Sequence, residues 1–365
     1  MQLRNIFCYR RAWLIVLLPV SLLSAAWAGA YPQAVERYFS ASFYAALSTI
    51  GARFTNAIPL SLAECTLIAL VVAVPGWLIF QIRGIAQKCK PLAAFLATLC
   101  MATGLLPAAF TFSCGLNYYR PSFASRIGLE IRPSSAQELA LLLQELVQSA
   151  NTLRAGLRED ADGVLLSSFE SPREMAADAA RAFALLGEDY PVLSGYVPYP
   201  KAVFLSDIMS YLDLVGFYFP FTFEANVNTA IPDVDIPAGM VHELAHYKGI
   251  MQEQEANYIA WLGCRASGNA ELEYSGTILA YIHTANALYA TNSDLFWQVA
   301  EQLSPAVQRD LAARRSYWNR HAGAAAEVSA AVNDRYLKFN NQSSGVVSYG
   351  AMVDLLLAEY RQRHA

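Results

Sequence analysis

Residues 236–264 read IPAGMVHELAHYKGIMQEQEANYIAWLGC, and this stretch predicts a helix with a metal site in the second part of the chain. His242 and His246 are four residues apart, so on a helix both imidazoles lie on one face, about one turn apart. That spacing suits two bonds to one zinc ion. Glu243 can act as a general base toward a water held by the zinc, which lowers the pKa of that water to about 7. We therefore predict a zinc site with Glu243 as its catalytic residue.

A catalytic zinc needs a third protein ligand and an open position. Gly249 can end the first helix in a left-handed conformation, and a second helix then starts near residue 252. Two acids begin that helix, Glu253 and Glu255. We favour Glu253 as the ligand because small residues share its face and allow the two helices to approach, and Glu255 is the alternative. The other acid, together with Asn257, is expected to orient an imidazole.

The first part of the chain has the composition of a membrane unit. The whole chain is 55% hydrophobic and only 15% charged, whereas soluble domains carry about 25% charge. Three uncharged stretches approach the roughly 20 residues that cross a bilayer, at about 12–30, 65–82 and 92–112. We predict a membrane domain at 1–114 and a second domain at 115–365. The first stretch could instead be a cleaved signal peptide, but its apolar run exceeds the usual length of about 7–15 residues.

The flanking charges indicate an orientation. Arg10 and Arg11 precede the first stretch, and basic residues fill the short 83–90 loop. The positive-inside rule then places the N-terminus in the cytoplasm and residues 115–365 outside the cytoplasmic membrane. Tyr118, Tyr119 and Arg120, just after the third stretch, are expected to anchor it at the interface. The expected partners are the lipid bilayer and a peptide or protein substrate, and no basic cluster suggests nucleic acid.

Helix signals dominate after residue 120. Ser135 with Glu138 can form a capping box, Ser171 and Ser304 each precede a proline at a helix start, and a last helix is expected from about 349 to 361. The fold class is therefore mainly α, with three N-terminal transmembrane helices, a mostly helical second domain and a small β-sheet.

The sheet is predicted at residues 221–227, where apolar and polar residues alternate. Pro220 suggests an edge strand or a strand start. An edge strand near the histidine helix could bind the backbone of a peptide substrate as an added strand. Phe223, Glu224 and Asn226 are the candidate substrate-binding residues on this interpretation.

Hydrolysis also needs a donor near the oxyanion that develops in the transition state. Tyr349 is the candidate, with Tyr281, His283 and His321 as further possibilities. Sequence alone does not place any of them near the metal.

The motif resembles the gluzincin-type zincins, in which the third ligand is a Glu on the next helix, and Glu253, Ala256 and Asn257 stand at the matching positions. The whole chain is also similar to an uncharacterised bacterial family of three-span membrane proteins with a zincin-like domain. Four segments carry that similarity, at 115–123, 216–228, 242–257 and 336–360. Tyr247 and Lys248 depart from it, since Gln and Arg are expected there. The resemblance implies a metallopeptidase architecture but no substrate.

Two functions follow from these residues. The first is a membrane-anchored zinc metalloendopeptidase that hydrolyses peptide bonds on the outer side of the membrane. The alternative is a non-catalytic envelope assembly or interaction protein in which the metal is structural. An intact Glu243 favours the first, and a fourth protein ligand that closes the site would favour the second.

Overall fold

Three long apolar helices lie in the first third of the chain, as the sequence predicts. The computed structural model describes residues 6–89, 91–340 and 349–364. A 3-10 segment, Arg10–Val16, continues into α1 (Leu17–Ala30), and the other two are α4 (Leu62–Ala86) and α5 (Leu92–Ser113). Each is long and apolar enough to cross a membrane, and few of its side chains are buried in the protein. That is the pattern of helices that lipid surrounds.

The connector between α1 and α4 is helical, although its sequence suggests only a loop. It contains α2 (Pro32–Ala34), a π-helical segment (Val35–Tyr44) and α3 (Ala45–Asn56). Tyr44 packs in one apolar cluster with Tyr247 from the second part of the chain. Regions on both sides of residue 114 therefore share a core.

The rest of the chain is mostly helical, and its predicted helix starts are confirmed. Ser135 and Glu138 form a reciprocal capping box, and the Ser171 and Ser304 side chains accept from backbone N–H groups of the first turns they precede. A 3-10 turn, Gly115–Tyr119, follows α5. The helices are α6 (Phe123–Ile127), α7 (Ala136–Arg154), α8 (Pro172–Asp189), α9 (Ser206–Tyr211), α10 (Ile236–Tyr247), α11 (Glu253–Ala266), α12 (Ala270–Thr291), α13 (Ser293–Ala300), α14 (Pro305–His321), α15 (Ala324–Phe339) and α16 (Tyr349–Arg363).

A three-stranded sheet with the order β1-β3-β2 completes the fold. β1 (Lys201–Ala202) runs parallel to β3 (Glu224–Val227), and β2 (Gly216–Phe219) runs antiparallel to it. The predicted strand at 221–227 is confirmed over 224–227, but its predicted extent and its edge position are wrong. Residues 220–223 form the turn of a hairpin, and β3 is the central strand, buried along its length. The edge strand beside the histidine helix is β2.

α10 lies at the centre of the second part, packed against α8, α11, α12 and the strands β2 and β3. Every residue of this helix is buried except His242 and His246. A helix that is apolar on nearly all sides is stable only when other elements cover it. The surrounding helices and sheet thus fix the positions of both imidazoles.

A buried ion pair joins the sheet to the start of α4. Lys201 on β1 pairs with Glu224 on β3, and its ammonium also donates to the carbonyl oxygens of Thr55 and Leu60 at 2.8 and 2.9 Å. The Glu224 carboxylate accepts from the backbone N–H of Ala63 at 2.7 Å, in the first turn of α4. The start of α4 and the sheet are therefore joined by one polar cluster.

We expect Lys201→Met to lower the free energy of unfolding by about 3–5 kcal/mol, because it leaves the Glu224 carboxylate buried without its cation. Lys338→Met is the matched control. Lys338 pairs with Asp334 on an exposed helix face, where such a pair contributes about 0.3–0.5 kcal/mol. Thermal unfolding of the detergent-solubilised chain measures both. Equal losses in the two variants would show that the buried pair does not fasten the sheet to α4.

Candidate metal centre

The two histidines of α10 meet as the helical spacing predicts. The Nε2 atoms of His242 and His246 are 3.0 Å apart, and both side chains are largely but not completely covered. Because the rings project from consecutive turns of one buried helix, their relative position is set by the backbone. The pair forms one side of a candidate site.

Gly249 ends α10 in the left-handed conformation that the sequence predicts, with φ +75°. The N–H of Gly249 donates to the His246 carbonyl, and the N–H of Ile250 donates back to the Ala245 carbonyl. This paired arrangement is a Schellman turn, which favours glycine at the left-handed position. The turn reverses the chain and places the first residue of α11 opposite the imidazoles.

That first residue is Glu253, and it completes the cluster. Its carboxylate oxygens lie 3.3 Å from His242 Nε2 and 3.6 Å from His246 Nε2. Glu255 points elsewhere, since its Oε1 accepts from the backbone N–H of Phe123 at 2.6 Å. Of the two acids, only Glu253 is among the three groups that could hold one metal ion. The expectation that the other acid orients an imidazole is wrong for Glu255.

The outer nitrogens of the imidazoles have hydrogen-bond acceptors as partners. Nδ1 of His242 contacts Asn257 Oδ1 at 2.8 Å, as predicted for Asn257, and Nδ1 of His246 contacts the Ile250 carbonyl at 2.7 Å. A carbonyl oxygen only accepts, so the hydrogen-bond network assigns a proton to each Nδ1. In neutral rings both Nε2 lone pairs then point at each other and at the Glu253 carboxylate. Three electron-pair donors at one point require a cation between them, which fits a divalent metal.

The pKa values of the three groups also indicate that a positive charge is needed between them. Burial lowers the pKa of His242, but the hydrogen bond and charge of Glu253 outweigh it and raise that pKa to about 9. Burial also lowers the pKa of His246. The two imidazoles hold the pKa of Glu253 at about 2 against the opposing effect of burial. Without a metal ion, a proton on His242 supplies the positive charge that the carboxylate demands.

Glu243 is buried beside the cluster and has an unsatisfied oxygen. Its Oε2 has no hydrogen-bond partner, and burial raises its pKa to about 8. β2 lies directly against it, because a Cβ on Gly216 would come within 2.7 Å of Glu243 Oε1. Glycine at this position therefore lets the edge strand approach the carboxylate. A buried carboxylate with a spare acceptor is suited to receive a proton from a molecule in the site.

A pocket of about 420 Å³ opens onto these groups. It is lined by His242, Glu243, His246 and Glu253, and β2 forms one wall from Gly216 to Tyr218. β2 pairs with β3 on one side only, so its other edge is available among the residues that the structure describes. An extended chain could pair there.

The three residues predicted to bind substrate do not line this pocket. Glu224 is held in its ion pair with Lys201. The Asn226 side chain is buried and accepts from the Ser61 hydroxyl at 2.6 Å, and Phe223 packs against Gly51 of α3. Their structural roles are in the core because β3 is the central strand.

The predicted oxyanion donors whose side chains are described do not line the pocket either. The side chain of Tyr349 lies outside the described residues. Tyr281 lines a neighbouring cavity, His283 is buried in α12, and the His321 ring packs on Tyr317. None of these three is among the residues that line the pocket.

Two tyrosines that sequence reasoning did not assign to the site line it instead. Tyr118 and Tyr336 both face the pocket, and their hydroxyl oxygens are 2.7 Å apart. Tyr118 is buried in the protein, so its expected role as an interface anchor is wrong. The two residues are 218 positions apart in the chain, and no local pattern could reveal their pairing. Both lie within segments that carry the family resemblance.

Comparison with known proteins gives one match. Residues 39–357 match a family described as "Protein of unknown function (DUF3810)". Neither the curated proteins nor the solved structures gave a match. The family match spans most of the chain and includes every residue of the candidate centre. This chain therefore belongs to the DUF3810 family.

Proposed function

We propose that this protein is a membrane-anchored zinc metallopeptidase. The observation that carries the proposal is the convergence of His242, His246 and Glu253 on one point, beside a buried Glu243 with a spare oxygen. Two imidazoles and one carboxylate are a ligand set typical of catalytic zinc. Metal ions that prefer all-oxygen shells, such as magnesium and calcium, suit it less well.

The bound zinc would act as a Lewis acid that polarises the scissile carbonyl. The protein's own residues would do the rest. Asn257 and the Ile250 carbonyl hold the imidazoles by their Nδ1 protons. Glu243 Oε2 takes the proton of the attacking water and later gives it to the leaving amine. The raised pKa of Glu243 suits a group that must both accept and release a proton near neutral pH.

The substrate would lie along β2 as an added strand. This placement keeps the predicted mode of binding but moves it from residues 221–227 to Gly216–Phe219. The short distance between Gly216 and the Glu243 carboxylate supports it, because a chain paired with β2 would pass the proton acceptor. Tyr336 and Tyr118, whose hydroxyls line the pocket, are the available donors to the developing oxyanion.

The sidedness of the site follows the positive-inside rule in this proposal. Basic residues at the N-terminus and between α4 and α5 place those ends in the cytoplasm, and the centre then lies outside the cytoplasmic membrane. The alternative, a structural metal in an envelope assembly protein, would need a fourth ligand to close the site. Among the described residues the cluster comprises three, and it borders a pocket.

We expect the purified chain to bind about one zinc ion, and His246→Ala and Glu253→Gln to lose it, because each removes a ligand. His321→Ala and Glu255→Gln are the matched controls, since neither side chain is part of the cluster. Elemental analysis of the four variants after dialysis against zinc measures this. Zinc retained by Glu253→Gln and lost by Glu255→Gln would reassign the third ligand, and zinc retained by His246→Ala would refute the site.

We expect Glu243→Gln to keep its zinc and to lower peptide cleavage by about 10²–10⁴-fold, the usual contribution of a general base. A quenched-fluorescent peptide library serves as substrate. Glu145→Gln, at a half-buried position of α7 outside the pocket, is the control and should cleave at the rate of the natural chain. Cleavage by Glu243→Gln at that same rate would remove Glu243 from the mechanism.

We expect Tyr336→Phe to lower kcat by about 10–100-fold with little change in KM, because a hydrogen bond to an oxyanion strengthens only in the transition state. Tyr289→Phe, an exposed tyrosine of α12 outside the pocket, should change neither constant. A rise in KM with unchanged kcat would assign Tyr336 to substrate binding.

A further inference from the structure

The connector between α1 and α4 is attached at both ends to a candidate membrane span. α1 ends at Ala30 and α4 begins at Leu62. Two consecutive spans leave and re-enter a bilayer on the same side, so the whole connector lies at one membrane surface. Most of the connector is helical, which shortens its reach and keeps it close to that surface.

The outward face of this connector is apolar. Phe43, Ile50 and Phe54 are spaced by seven and four residues, which places them on one helix face, and their exposed fractions are 51%, 57% and 75%. Arg53 is the only charged residue between positions 38 and 63. A helix facing water usually carries charge on its outer face, and exposed apolar patches mark interaction surfaces.

The inward face of the same connector contacts the C-terminal end of α10 and the strand β2. The Tyr44 hydroxyl donates to the Tyr247 carbonyl at 2.8 Å, at the C-terminal end of α10, and lies 3.0 Å from the Tyr218 hydroxyl on β2. A helix with its side chains is about 10 Å across. The end of α10 that carries His246 is therefore separated from the outward apolar face by about one helix.

We propose that α3, with the π-helical segment before it, lies at the bilayer interface, where Phe43, Ile50 and Phe54 contact lipid, and that the centre acts on polypeptides anchored in that membrane. The assignment of a substrate class rests on the proposed peptidase function, whereas the lipid contact does not. We choose lipid as the partner of the outward apolar face because this face is continuous with the start of α4, through exposed Ile58 and Leu60. The Arg53 guanidinium, stacked 5.1 Å from the Tyr196 ring, is placed at the edge of this face, where basic residues of interfacial helices meet lipid headgroups.

A second feature ties the pocket to the membrane surface. Cys114 is the first residue beyond α5, and it lines the same pocket as His246. The pocket thus begins where a candidate span ends. A polypeptide that reaches the centre from the membrane surface needs only a short extended segment outside the bilayer, since each residue spans about 3.3 Å.

The lipid contact is tested with the full chain in phosphatidylcholine vesicles. Phe54→Cys carries an environment-sensitive fluorophore, in a background where the exposed Cys8, Cys65 and Cys89 are replaced by Ser. Leu141→Cys is the matched control, because Leu141 is 52% exposed on α7, which packs on α12, α13, α14 and α16. We expect nitroxide-labelled phospholipid to quench the label at 54 at least about threefold more than at 141, and aqueous iodide to show the reverse order.

Two results would overturn the lipid contact. Equal quenching by nitroxide lipid at the two positions would mean that this face meets water. Energy transfer between labelled copies without quenching by nitroxide lipid would assign the face to a second copy of this chain.

The substrate class is tested in the same vesicles with the peptide library, presented either free or coupled to a phospholipid. We expect coupling to raise the rate of Glu243-dependent cleavage at least about tenfold. Equal rates would overturn the substrate class and leave the peptidase proposal intact. No Glu243-dependent cleavage of either form would refute the peptidase proposal and the substrate class together, while the fluorescence result would still decide the lipid contact.

Discussion

The structure depends on three electron-pair donors that are held at one point beside a pocket. His242, His246 and Glu253 would repel one another unless a cation lies between them, and the surrounding protein does not let them separate. Apart from the two histidines, every residue of α10 is buried. The left-handed Gly249 fixes the turn, and the Nδ1 atoms of both imidazoles have hydrogen-bond partners. Packing free energy from the rest of the molecule thus maintains an arrangement that is unfavourable without a positive charge.

The support for this arrangement comes from both parts of the chain. Arg120, just after α5, donates to the Lys248 and Gly249 carbonyls and pairs with Glu36 of the connector. Tyr44 holds the last carbonyl of α10 from the other side. The connector and the segment after α5 therefore support the turn between α10 and α11. A change in their position would be transmitted to the distance between His246 and Glu253.

The parts that could be predicted from the sequence are those encoded within one or two helical turns. The spacing of His242 and His246, the glycine turn and the choice of Glu253 all follow from local backbone geometry, as do the helix caps. The apolar stretches could also be predicted, because length and composition alone identify a helix that can cross a membrane. The structure confirms the helical spacing, the glycine turn and the long apolar helices, and it brings Glu253 close to both imidazoles.

The parts that could not be predicted depend on contacts between distant residues. Period-two alternation at 221–227 indicates a strand but does not say which strand lies at the edge, so Glu224 and Asn226 were assigned to a substrate rather than to the core. Tyr336 reaches the pocket from α15, and nothing near it in sequence reveals this. The connector could be recognised only as a loop between two apolar stretches, so its helices and its packing against Tyr247 could not be predicted.

The most direct test of the account is X-ray absorption spectroscopy at the zinc edge of the zinc-loaded chain. We predict a first shell of nitrogen and oxygen only, with two imidazoles and distances of about 2.0–2.2 Å. Cys114 lines the same pocket, so a different ligand set is physically available. A zinc–sulfur distance of about 2.3 Å, or a shell without imidazole, would contradict the centre described here.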